Sequence, residues 1–265
     1  MTTPANDEVA PGLRVAVGTD GIHTWWLCNE ARRNAVSPPA LQWIAAQCSG
    51  LSGEIVVLRG TGGRAFCAGF DLTALVGATE DPSALPDASL IAATVAMHHA
   101  DATFVAALDG YAIGAGVELA CACDLRVCTR DVYFAVPAAA LGVVYHAAGL
   151  VAVREVFGPG GARRLLMLGE RLSADDAWTT GALVRLCDPA AFEATLAEVL
   201  EQLRRAAPLS LRGNRDLLRR LDHGPLSSEA LHEHETRRRA AYASEDHDEA
   251  RRARREGRPP RFHGH

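Results

Sequence analysis

At 265 residues and a formal net charge of −5, the chain is long enough for one large domain, or one domain with an appendage, and has no general attraction for nucleic acid or an acidic membrane surface. Its 48% hydrophobic content is ample for a substantial core. Seven cysteines, an odd number scattered from Cys28 to Cys187, make no disulfide framework and read as buried, reduced thiols of a cytoplasmic protein.

The polar stretch Met1 to Pro11 has no apolar core and is expected to be no signal peptide, and no run approaches the ~20 apolar residues of a membrane span. Leu13 to Gly18 and Ile22 to Cys28 flank Thr19-Asp20-Gly21, an Asp-Gly pair between two β-rich runs that predicts a hairpin. Ser37-Pro38 opens a helix reaching about Ser49, with Leu41, Ile44, Ala45 and Cys48 at helical spacing. A β-branched strand, Ile55 to Arg59, runs into the turn Gly60 to Gly63 and then a helix-like stretch, Arg64 to Leu72. Thr73 to Asp87 has two prolines and several acidic residues and reads as a mobile surface loop.

A helix from Ala88 to about Ala102 follows. Its adjacent His98 and His99 point to different faces, so no metal pair is expected there. Phe104 to Leu108 is a strand, broken at Asp109-Gly110. A small-residue loop, Ile113 to Gly116, then leads into a helical run, Val117 to Cys123. Short strands are expected at Leu125 to Cys128 and around Tyr133-Phe134, before the segment Val136 to His146. Helices follow at Ala147 to Phe157, at Gly160 to Leu168 after Pro159, and from Ser173 with Asp176 completing its cap. After a strand at Leu183 to Cys187 the rest is helical: Ala190 to Ala206, Ser210 to Leu221, Ser227 to Ala243 and Asp246 to Glu256. Strands alternating with helices, then helices alone, predict an α/β core with a helical tail.

The chemistry concentrates between Phe104 and Val127. The amides of Ala115 and Gly116 fall at a helix N-terminus, where unpaired donors and the helix dipole favour anions and polarised carbonyl oxygens. Glu118, three residues beyond Ala115, lies on the same face of the first turn. The glycines alone could serve only close packing, and Glu118 could be a structural carboxylate paired to Arg126. The strand-and-glycine passage before Phe70 offers a second loop, so two backbone N–H groups could be aimed at one oxygen.

RAFCAGFDL, followed by DGYAIGAGVELACACDLRV, resembles the crotonase (enoyl-CoA hydratase/isomerase) superfamily. Leu27 to Val36, Ser173 to Val184 and the C-terminal SEDHDEARRARREGRPPRF resemble further family segments. The resemblance implies an α/β fold: a crotonase-type spiral of ββα units over 1–190, then a C-terminal helical trimerisation region over 191–265. It implies a homotrimer or a dimer of trimers, and an acyl-CoA thioester as substrate with no cofactor, metal, nucleic acid or membrane partner. Phe70 and Ala115 carry the matching oxyanion amides. Arg33, Asn34, Ala35, Ala68, Gly69 and Asp71 fall in the CoA-contacting segments, with Arg32 beside them; a cap or structural role is also read for Asp71, and plain packing for Cys67.

Glu118 matches the first of the two glutamates of the family's hydratases; the second position is Ala138. Tyr145 and His146 replace the usual Pro-Gly of the next loop, where the imidazole either serves as acid or base or merely lines the pocket. The family's phosphate-binding lysine and its aromatic neighbour fall on Gly257 and Arg254, with Arg258 and Arg261 as substitutes. The expectation is an enoyl-CoA hydratase/isomerase-like lyase or isomerase with one working glutamate, capable of double-bond isomerisation, decarboxylation or weak hydration. The alternative is a non-catalytic acyl-CoA-binding homologue.

Overall fold

Strands β3 (His23–Leu27), β4 (Ser52–Gly60) and β6 (Asp101–Leu108) run parallel, side by side, at the centre of a seven-stranded sheet. The computed structural model describes residues 7–71, 85, 87–222 and 224–265; most of the loop expected from Thr73 to Asp87 lies outside them. A parallel strand is covered on both faces, so it must be apolar on both. Val56, Val57 and Leu58 of β4 and Ala102 through Leu108 of β6 are accordingly buried.

The antiparallel strands β1 (Asp7–Ala10) and β2 (Leu13–Val17) extend one side, with Leu13 opposite Leu27 across the expected hairpin. On the other side β6 pairs with β8 (Leu125–Thr129), and β8 with β11 (Arg185–Cys187). Helix α1 (Pro38–Cys48) starts where Ser37 accepts the Ala40 amide, with proline in the first turn. It covers the sheet through Trp43, whose ring meets Trp25 edge-on at 5.3 Å; Trp25 meets Phe104 at 5.7 Å. Helix α2 (Ala88–His99) stops before the expected Ala102, because Ala100 is extended and Asp101 already belongs to β6.

A second sheet has the order β10-β9-β7-β5. Its members are β5 (Ala65–Cys67), β7 (Tyr111–Ile113), β9 (Tyr133–Ala135) and β10 (Leu172–Ser173). Arg64 to Leu72 therefore does not begin as a helix. Ala65, Phe66 and Cys67 are all buried in a strand parallel to β7, Ala65 opposite Tyr111 and Cys67 opposite Ala112. Three-residue strands show no alternation, and their pairing is long-range. The small sheet holds the ends of β5 and β7 together, so the loops that leave them emerge side by side.

Helix α3 (Ala115–Ala122) follows β7 directly. Helix α4 (Ala147–Leu166) is broken at Gly158 before Pro159, matching the two helices expected there. Helix α5 (Ala174–Thr179) carries the Ser173/Asp176 capping box. The chain divides into two units, Met1–Leu196 and Ala197–His265. In the second, α7 (Pro208–Asp222), α8 (Ser228–Tyr242) and α9 (Glu245–Glu256) follow α6 (Phe192–Arg204). The last residues fold back on α9: the Asp246 carboxylate accepts the amides of His263 at 2.7 Å and Gly264 at 2.8 Å. No helix among the described residues is long and apolar enough to cross a membrane.

Candidate active site

Two backbone amides come first. Gly69 bends the chain after β5 with φ +105°, and its own amide donates to the Cys67 sulfur at 3.4 Å. Its carbonyl accepts Val36 N–H, while Asp71 N–H donates to the Val36 carbonyl, both at 2.9 Å. In such a parallel bridge the residue between, Phe70, turns its own N–H away from Val36. On the neighbouring strand, Gly114 (φ +53°) donates to the Ala135 carbonyl at 2.9 Å and then turns the chain into α3. That backbone conformation suits glycine. Ala115 N–H is left at the helix start. Neither Phe70 nor Ala115 N–H donates to a described residue. The loops are pressed together: a Cβ on Gly114 would lie 4.0 Å from the Gly69 Cα.

Glu118 follows on the first turn of α3, only 3% exposed. Burial pushes its carboxyl above the usual carboxylate range, opposed by the nearby Tyr145 hydroxyl and by His146. It does not pair with Arg126, whose guanidinium instead donates to the carbonyls of Ala120, Cys123, Asp124 and Ala182. The partner is His146, with Nε2 2.7 Å from Glu118 Oε2. Nδ1 of the same ring accepts the Gly149 amide at 3.1 Å, so His146 also caps α4. Tyr145 stacks on His146 at 5.5 Å between ring centroids. Its buried hydroxyl lies near Glu118 without meeting hydrogen-bond geometry and has no hydrogen-bond partner among the described residues; burial and the adjacent carboxylate push the phenol far up.

Sequence reading places Glu118, Tyr145 and His146 in one site, and the structure brings them into contact. It does not foresee Gly149. A Cβ there would come within 2.7 Å of Glu118 Oε2 and 2.8 Å of the Tyr145 ring. A glycine on a helix's first turn carries no signal that a carboxylate lies against it. Ala138 is buried at the start of the turn leading to Tyr145; its carbonyl accepts Val143 N–H at 2.9 Å. With a methyl side chain it has no proton to transfer.

The segments around Arg33 and Ala68 also lie together, joined by Ala68 N–H donating to the Arg33 carbonyl at 3.1 Å. Asn34, 2% exposed, donates its side-chain amide to the carbonyls of Thr61 at 2.9 Å and Ala65 at 2.7 Å, which makes it a staple of this loop. Ala35 is buried beside it. Arg32 pairs with Asp71 at 2.9 Å, giving that carboxylate a structural partner, whereas Arg33 is exposed. Arg258 is engaged within its own unit by Glu249 at 2.6 Å, and Glu249 also accepts Arg261 N–H at 3.1 Å. Burial pushes the Cys67 thiol up to about 12, which suits packing rather than nucleophilic chemistry. Among the described residues no cluster of His, Cys, Asp and Glu forms a metal site.

Known proteins share this arrangement of elements. A protein from Mycobacterium leprae named "Probable enoyl-CoA hydratase" is 34% identical over 252 residues, covering 92% of this chain and 97% of that protein. The carnitinyl-CoA dehydratase of Proteus mirabilis is 31% identical over 166 residues, 63% of each chain. A crystal structure of an enoyl-CoA hydratase/carnithine racemase from Magnetospirillum magneticum superposes with a TM-score of 0.85 at 26% identity, covering 98% of this chain and 97% of that one. The sequence model of the enoyl-CoA hydratase/isomerase family matches residues 46–265. The chain therefore belongs to the enoyl-CoA hydratase/isomerase family and has the crotonase fold.

Proposed function

We propose that this protein is an acyl-CoA enzyme that works through a thioester enolate, with Glu118 as its single proton-transfer carboxylate. The amides of Phe70 and Ala115 receive the thioester oxygen. One such donor is typically worth ~3–4 kcal/mol, because its bond strengthens as charge moves onto the oxygen. Glu118 then takes a proton from a carbon next to the thioester or returns one to the chain. Hydration or dehydration, the chemistry in the names of the relatives, asks for a second acid–base group, and Ala138 supplies none. Double-bond isomerisation or decarboxylation fits one carboxylate better. Arg33 reaches for the CoA phosphates, the protein assembles as a trimer or a dimer of trimers, and its seven free cysteines suit a reducing cytoplasm.

The observation that carries this reading is the Glu118 carboxylate, buried and pushed up, on the same turn as the Ala115 amide, which donates to no described residue. Ala138 supports a second reading, a homologue that binds acyl-CoA without turning it over. A panel of 2-enoyl, 3-enoyl and carboxyacyl thioesters separates the two when turnover is set against calorimetric binding. Isomerisation or decarboxylation lost in Glu118→Gln, with binding kept, is expected. Binding of several thioesters with no turnover of any would leave the second reading, and no binding at all would sink both.

A further inference from the structure

The two contacts of His146 determine where its hydrogen lies. A backbone amide can only donate, so the Nδ1 that accepts from Gly149 at 3.1 Å carries no hydrogen. The hydrogen of the neutral ring is then on Nε2 and is directed at Glu118 Oε2, 2.7 Å away. A second proton would have to enter at Nδ1 and break the cap of α4. Among the described residues the one hydrogen bond that meets the Glu118 carboxylate is this contact on Oε2, with the Tyr145 hydroxyl close by. The Tyr145 ring lies nearly parallel to the imidazole, with centroids 5.5 Å apart.

We propose that His146 is a positioning residue for Glu118: locked as the Nε2–H tautomer by the Gly149 amide, it grips Oε2 and leaves Oε1 as the oxygen that exchanges protons with the acyl chain. This rests on the proposed role of Glu118 and assigns the imidazole the task of aiming it. Only Glu118 then carries a proton in an isomerisation. The bond from carbon to hydrogen breaks as Oε1–H forms, and the electron pair passes into the enolate. The same electrons take the proton back at the other end of the allylic system, which regenerates the carboxylate.

The test combines two variants with one measurement that needs no turnover. His146→Gln keeps an N–H donor of similar reach but cannot carry a proton; His146→Ala removes the donor. His146→Gln is expected to keep turnover of the best thioester within about tenfold. His146→Ala is expected to lose kcat on the order of 10²-fold with little change in KM, the scale for a misaimed group. Equal loss in both variants would overturn the proposal, because the ring itself would then carry the proton. Nitrogen-15 NMR of the histidine-labelled wild-type protein is expected to show the neutral His146 ring as the Nε2–H tautomer, with Nδ1 free of hydrogen. An Nδ1–H tautomer would also overturn it. If no thioester is turned over, the proposed function fails, while the spectrum still decides the tautomer.

Discussion

Gly149 lies directly against Glu118: a Cβ at that position would stand 2.7 Å from Oε2, the oxygen that His146 holds. A lone carboxylate would swing aside from such a methyl group at little cost, but this one is tied. The absence of a side chain at Gly149 is therefore part of the site's geometry.

Gly149→Ala should consequently separate stability from activity. Alanine favours a helix by ~1 kcal/mol over glycine, which offsets part of the strain, so the melting temperature should move only slightly. The Glu118–His146 contact must open, so kcat should fall on the order of 10²-fold. Thermal unfolding and turnover measured on the same preparation check this. An alanine variant with wild-type kcat would show that the carboxylate does not need its present position.

The raised carboxyl of Glu118 fixes a sign for pH effects. Its folded value lies above the ordinary 4.5, so the folded state binds more protons than the unfolded state between the two values. Wild-type stability contributed by this group is present at low pH and lost as pH rises through the folded value. Glu118→Gln has no such dependence. Its melting temperature should exceed the wild type's at pH 7, with the gap closing as pH falls toward 4.5. A constant gap across that range would rule out burial as the cause. Turnover of the wild type should show its acid limb above the usual carboxylate range, because the ionised form is the base.

Ala138 makes a third prediction. General acid–base assistance is worth roughly 10²–10⁴-fold, so crotonyl-CoA hydration should be slower by about that factor than in enzymes with two working glutamates. Ala138→Glu should raise it, provided the larger side chain fits in this buried turn. Fast hydration by the unaltered protein would require another proton source near the site, and the Tyr145 hydroxyl would be the first to replace.

The C-terminal unit carries the fourth. Leu218 is 62% exposed and Tyr242 61% exposed, on helices whose own unit leaves them uncovered. Light scattering should report a trimer or larger, and Leu218→Arg should shift it toward a monomer. A wild-type monomer of about 28.2 kDa at micromolar concentration would contradict the assembly.

Much of this was readable from local signals. Asp20-Gly21 marks the hairpin between β2 and β3, Ser37-Pro38 marks the start of α1, and the run after Gly114 gives α3 with Glu118 on its first turn. What stayed hidden is long-range. Ala65–Cys67 pairs with Tyr111–Ile113 through three-residue strands too short for any periodicity. Arg126 offered itself as the partner of Glu118, but its bonds go to backbone carbonyls, which every residue has and no sequence pattern reveals. His146, 28 residues from Glu118, reaches it only because the turn after Ala138 and the start of α4 bring the ring back.

The pairing of β5 with β7 has one more consequence. Neighbouring strands lie ~4.8 Å apart, a spacing fixed by backbone hydrogen bonding. Two donors separated by that distance, each ~2.9 Å from one shared oxygen, subtend an angle of ~110° at it. This is close to the spread of the two lone pairs on a carbonyl oxygen. In the proposed site the Phe70 and Ala115 amides stand on the loops that leave these two strands, so a donor spacing of this order would come from the backbone pairing and not from any side chain. A substitution that shifts Ala65–Cys67 along Tyr111–Ile113 would change that angle while leaving every polar residue of the site in place.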